Sequence, residues 1–174
     1  MKAPRVFILI LLFAGAIFSA ETRGDLEAGR RDYEAAEFKR AAARFERALK
    51  AEPNDAVASF WLGKSYQMLA DIDGPLFGAR ASSKARKYLA RAVELQPRNQ
   101  EYRREFFNLL LETGSSPGAL TPAESIIRMV PPSDPDYRFM MMRLEQERQA
   151  RSSPEYRVLR ALSAVPHKVV SLGP

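Results

Sequence analysis

The chain has 174 residues, 46% apolar and 28% charged, with 27 Lys and Arg against 21 Asp and Glu for a net charge of +6. That composition excludes a disordered tail and suffices for one domain with a real core, or one short array of repeats. Cysteine is absent and His167 is the one histidine, which excludes disulfides and thiolate metal ligands and leaves a zinc site to carboxylates alone.

Residues 1–20, MKAPRVFILILLFAGAIFSA, open on Lys2 and Arg5, run apolar and small from Val6 to Phe18, and end on small residues. This is the pattern of a secretory signal. At 1.5 Å per residue the run reaches roughly 20 Å, short of the roughly 30 Å hydrocarbon core. The segment therefore reads as a signal peptide, with retention as an N-terminal anchor the alternative. Cleavage falls after Ser19-Ala20, where Phe18 is bulky, or after Ala14-x-Ala16. Removing 1–20 takes Lys2 and Arg5 and no acid, lowering +6 by two to +4. An exported chain does not meet cytoplasmic DNA or RNA, so nucleic acid is not expected as a partner and the basic balance is assigned to arginine-rich helix faces.

Beyond residue 20, abundant Ala and Arg with only 9 Gly favour helices. RFERALKAEPND (44–55) and RKYLARAVELQPRN (86–99) write one helix ending twice. The helix-ending prolines Pro53, Pro97, Pro131 and Pro166 stand 44, 34 and 35 residues apart, a period of 34 with one ten-residue insertion. The first unit has Ala28-Gly29 in its leading helix, then Phe38, Ala41, Phe45, Ala48, Leu49 and Pro53; the second has Leu62-Gly63-x-x-Tyr66, then Ala85, Leu89, Ala92, Val93 and Pro97. On these residues the chain resembles the tetratricopeptide-repeat family over roughly 22–166. The resemblance implies an all-α fold of helix–turn–helix repeats stacked as a short right-handed solenoid, with a repeat domain over 21–166 and a tail over 167–174. Gly29 and Gly63 admit a close helix approach, the alanines answer from the second helix, and the prolines stop it. One pair cannot bury its apolar face alone; stacked pairs share a core.

The units run about 22–55, 56–99 with an insertion over 72–82, 100–133, and a divergent 134–166. In the third, YRREFFNLLLETG is the leading helix, with Phe107 where a small residue belongs; Thr121 is the expected cap of a short second helix with Pro122 in its first turn. In the fourth, Asp134-Pro135 opens the leading helix and Ser153-Pro154 the second. The insertion begins at Gly74-Pro75, and the second helix of the second unit is expected to be extended backwards by about ten residues, roughly three turns. Leu76 and Phe77 would then stand on an elbow, either capping the core or offering a contact to a partner.

Enzyme signatures are absent. No phosphate loop follows a strand, His167 lies in the tail HKVVSLGP, Asp71 and Asp73 suit a turn, and DIDG supplies too few oxygens for calcium. No catalytic residue, metal or cofactor is expected. The resemblance instead implies a groove lined by the leading helices, with Leu26 and Arg30, then Phe60, Lys64 and Gln67, then Arg104 and Asn108, and finally Arg138 and Met142. Mixed cations and large apolar groups suit a protein or peptide segment carrying acids and apolar anchors. Family members that grip a C-terminal carboxylate use a lysine–asparagine arrangement where this chain has Leu26 and Arg30, so that activity is not implied. Within MMMRLEQER, Met140 and Leu144 make an apolar face, and one of Phe60 and Trp61 must face the core. The expectation is an exported, non-enzymatic binding scaffold, periplasmic or secreted; the alternative is a membrane-anchored structural protein of the cell envelope with a basic lipid-facing surface, in contact with membrane only if residues 1–20 are retained.

Overall fold

The computed structural model of the chain describes residues 22–113 and 120–156, and every regular element among them is helical. Helix α1 covers 22–34; α2 is Phe38–Ala51, α3 Ala56–Phe77, α4 Ala79–Leu95, α5 Gln100–Thr113, α6 Thr121–Arg128 and α7 Pro135–Ser152. The chain divides into two compact units, one ending at Leu109 and the other beginning at Leu110. Among the described residues no helix is long and apolar enough to cross a membrane. Residues 1–20, the tail 167–174 and most of the second helix expected after Pro154 lie outside the described residues.

In the first unit the repeated ending is repeated in its hydrogen bonds. Helix α2 closes with the Glu52 amide donating to the Ala48 carbonyl at 2.8 Å, and α4 with the Gln96 amide donating to Ala92 at 3.0 Å. Both prolines follow directly, at 53 and 97, where the missing amide leaves no helical bond to make. The next helices are then capped from equivalent places. Asp55 accepts from the Val57 and Ala58 amides at 2.7 and 3.0 Å, and Asn99 accepts from the Tyr102 amide at 3.2 Å. These bonds satisfy donors that a helix start leaves open. Helix α1 ends differently. The Glu37 amide donates back to the Asp32 carbonyl at 2.8 Å and Ala36 to Tyr33 at 3.0 Å, with Ala36 at φ 59° in the left-handed position of a Schellman motif.

Close approach explains both glycines of the motif. A Cβ on Gly29 would stand 2.7 Å from the Phe45 ring, and one on Gly63 would stand 2.7 Å from Leu89 Cγ and 3.0 Å from the Leu89 backbone nitrogen. Ala41, Ala48, Ala85 and Ala92 are at most 1% exposed. Ala41, Ala42, Phe45 and Leu62 form a buried cluster with Leu26, Tyr33, Leu49, Trp61, Tyr66 and Tyr88 packed around it. Fully burying each large side chain contributes roughly 1.5–3 kcal/mol, which no isolated helix pair could collect. The first pair is also laced by charge. Asp32, largely buried, meets Arg44 Nε at 2.7 Å and Arg40 at 3.0 Å, while Asp25 meets Arg47 at 2.7 Å and Arg44 at 3.6 Å.

The insertion departs from the expectation. It is divided between two helices and does not lengthen the second one by three turns. Helix α3 carries on to Phe77 with a break at Gly74, whose φ of 69° and ψ of −177° suit glycine alone. Helix α4 starts only at Ala79 and has 17 residues, against 14 in α2. The physical reason lies in residues 67–73, QMLADID, which contain no breaker, so the leading helix propagates until Gly74 stops it.

In the second unit, α6 and α7 pack on one another. Ala123, Ile126 and Ile127 of α6 and Met140 and Leu144 of α7 are buried, so the methionine run contributes Met140 to the core as its spacing predicts. Asp134 caps α7 by accepting from the Asp136 amide at 2.9 Å, with Pro135 in the first turn. The cap expected of Thr121 is corrected: Leu120 holds the N-cap position of α6 without a side-chain bond, and Thr121 is already helical. Helix α6 is short, at 8 residues. Arg148 reaches Glu124 at 2.7 Å, and Arg151, nearly buried, donates to the Leu111 carbonyl at 2.7 Å. Phe107, in the first unit, is fully buried in the place of the expected small residue.

Candidate functional site

The leading helices of the first unit bring two cations onto an aromatic platform. Arg30 and Tyr33 lie one turn apart on α1, and Phe60, Trp61 and Lys64 lie within one turn on α3. Tyr33 meets Trp61 edge-on at 5.2 Å between centroids, and Phe60 meets Trp61 edge-on at 5.8 Å. Phe60 also stacks on Tyr102 of α5 at 4.5 Å. The Arg30 guanidinium carbon sits 5.2 Å from the centre of Trp61. Lys64 Nζ sits 5.8 Å from Tyr33, 5.5 Å from Phe60 and 5.5 Å from Trp61. Such contacts are worth about 0.5–2 kcal/mol apiece and hold a long side chain in place without neutralising it.

No carboxylate among the described residues lies within 4.0 Å of Arg30 or Lys64, so both charges remain available to a ligand. The face is not purely basic. Burial pushes the Tyr33 hydroxyl above its ordinary value, and the negative charges of Glu105 and Asp71 push it the same way. The platform therefore carries cations at Arg30 and Lys64, with acids near enough to Tyr33 for their charge to be felt.

The structure sorts the residues expected to line a groove. Arg30, Lys64 and Phe60 come together, but Phe60 is 1% exposed and forms the floor under Lys64 instead of offering its own side chain. It is the member of the Phe60–Trp61 pair that faces the core, because Tyr102 closes over it. Leu26 packs against the buried cluster. Gln67 is half-buried, Arg104 is exposed on α5, and Asn108 is half-buried with its side-chain oxygen enclosed and no hydrogen-bond partner among the described residues. Arg138 and Met142 are exposed on α7 and belong to the second unit. Phe77, after the break at Gly74, is 80% exposed and Ile72, before it, 67%, whereas the side chain of Leu76 lies outside the described residues. Sequence reasoning missed Tyr33 as the second wall of the platform. Its signal was present in the three-residue step from Arg30, the same step that separates Trp61 from Lys64.

Compared with protein-family models and with curated proteins, the chain matches none.

Proposed function

We propose that this chain is an exported, non-enzymatic scaffold of the tetratricopeptide type that binds an acidic protein or peptide segment along its leading helices. The 34-residue spacing of the leading-helix motif supports the repeat reading, as do the matched close contacts of Gly29 with Phe45 and Gly63 with Leu89. Export rests on the pattern of residues 1–20. The observation that carries the binding reading is the display of Arg30 and Lys64 over Tyr33, Phe60 and Trp61, charged and without a carboxylate among the described residues. An acid placed there gains a charge-assisted bond, and an apolar neighbour gains contact with the rings.

Trp61 is the one tryptophan of the chain and lies directly under both cations, so its emission reports on this face. Partners captured by the wild-type chain are compared with those captured by the Arg30→Glu, Lys64→Glu double variant, and each is then titrated against Trp61 emission. The reading expects partners lost by the double variant and a saturable emission change in the wild type. Recovery of the same partners in equal yield, with Trp61 silent, sinks it. The intact mass of the protein recovered from its source separates cleavage, which removes 1–20, from retention of that segment as an anchor.

A further inference from the structure

The second helices of the first unit enclose a different surface. Helices α2 and α4 bound an open cleft of about 690 Å³. Leu49, Pro53 and the ring of Tyr88 give it apolar surface, and the exposed cations Lys50, Lys87 and Arg91 stand along it. Two acids also line it, but both are occupied. Glu46 accepts the Tyr66 hydroxyl at 2.6 Å and lies 3.7 Å from Lys84, and Glu94 pairs with Arg91 at 3.2 Å. Arg91 is held further by Asn54 at 2.6 Å. Lys50 and Lys87 remain: neither has a carboxylate within 4.0 Å among the described residues. Lys50 lies in the last turn of α2, where the helix dipole alone favours a cation. Lys87 is in mid-helix on α4 and has no such reason, its ammonium standing 5.5 Å from the Tyr88 ring.

We propose that this cleft is a second docking site, for a peptide segment that sets an apolar side chain against Leu49, Pro53 and Tyr88 and carries acids on both sides of it to meet Lys50 and Lys87. Charge selects the occupant, because every acid along the cleft is already answered and two cations that line it are not. Openness selects a segment of a partner protein over a small carboxylate. With Lys50, Pro53, Lys87 and Arg91 exposed, a small molecule would leave much of its apolar surface in water, whereas a partner covers the rim with surface of its own. The site is built chiefly from α2 and α4, with Pro53 between α2 and α3 and Ser59 of α3, and shares no residue with the platform of Arg30 and Lys64, so it is tested independently of that surface.

The absence of cysteine allows one reporter at the cleft. A Glu52→Cys chain, labelled at that exposed position beside Pro53 with an environment-sensitive dye, is titrated with acetyl-Glu-Glu-Leu-Phe-Glu-Glu-amide while Trp61 reports the leading-helix face. The proposal expects a saturable dye response. It expects a loss of about tenfold or more in affinity for Lys50→Glu with Lys87→Glu, a smaller loss for Lys50→Gln with Lys87→Gln, and none for Arg30→Glu with Lys64→Glu. Circular dichroism verifies that each variant is folded. An unresponsive dye overturns the proposal. Equal weakening by the two charge-reversed pairs also overturns it, since binding would then follow net charge alone. Dodecanoate binding as tightly as the peptide, with the same dependence on Lys50 and Lys87, overturns the assignment to a peptide.

Discussion

The first and second helix pairs put different chemistry at equivalent positions. Asp32 and Tyr66 stand 34 residues apart and at the same step from Gly29 and Gly63, respectively. In the first pair the position is a carboxylate answered by Arg40 and Arg44 of the partner helix. In the second it is a phenol that donates to Glu46 and accepts from Lys84 at 2.6 Å, bridging α2 to α4. The small and large positions behave otherwise, with a glycine against Phe45 in one pair and against Leu89 in the other. The difference teaches that steric fit sets how two helices pair, while the polar positions around it can be rewritten provided each group finds a partner.

The sharpest way to break the comparison is to fill both glycines. In Gly63→Ala the new methyl meets a branch point and a backbone nitrogen, neither of which can swing away, and the expected loss is about 3 kcal/mol despite the better helix propensity of alanine. In Gly29→Ala it meets the far edge of the Phe45 ring, which can tilt, and the expected loss is about 1 kcal/mol. Urea unfolding of the two variants tests this, and equal losses would show that the second pair is no tighter than the first. Asp32→Ala ranks between them. It removes a largely buried carboxylate, the partner of Arg40 and the nearer of the two acids that meet Arg44, for an expected loss of about 2 kcal/mol by the same measurement.

Tyr66→Phe is expected to have the smallest effect, about 1 kcal/mol at neutral pH, because it removes hydrogen bonds at a half-buried position. Its signature is pH dependence. Burial and then the bond to Glu46 push the Tyr66 hydroxyl well above its ordinary value. A raised folded value means that the stabilisation is fully present below the unfolded value of about 10 and is lost as pH rises beyond it. Wild-type stability should therefore fall more steeply than that of the variant as pH rises above about 10. Tyr33 and Tyr102, also raised chiefly by burial, leave a residual slope in both. Parallel profiles would show that the phenol in the second pair is as dispensable as any exposed group.

Much of the helical layout was legible from local signals. Pro53 and Pro97 marked where helices stop, Asp134-Pro135 marked where one starts, and Met140 with Leu144 marked a buried stripe. The division of the insertion was not legible, because both of its ends are compatible with helix. Only the left-handed backbone at Gly74 decided that the extra residues would be shared between α3 and α4. Thr121 looked like a cap by residue type, yet the chain enters α6 one residue earlier.

By itself the sequence determined where Pro53 and Pro97 end helices and that positions 29 and 63 are small, since propensity, proline stereochemistry and repeat spacing act over a few residues. Tertiary structure alone decided which side chains of a helix stay in water. Phe60 and Lys64 are neighbours on one turn, and it is Tyr102, 42 residues further on, that buries the first and leaves the second charged over the rings. Likewise Lys50 and Lys87 read as two solvated cations among many. They come to line one cleft only when α2 and α4 both pack on α3, because burial and charge pairing depend on what arrives from elsewhere in the chain.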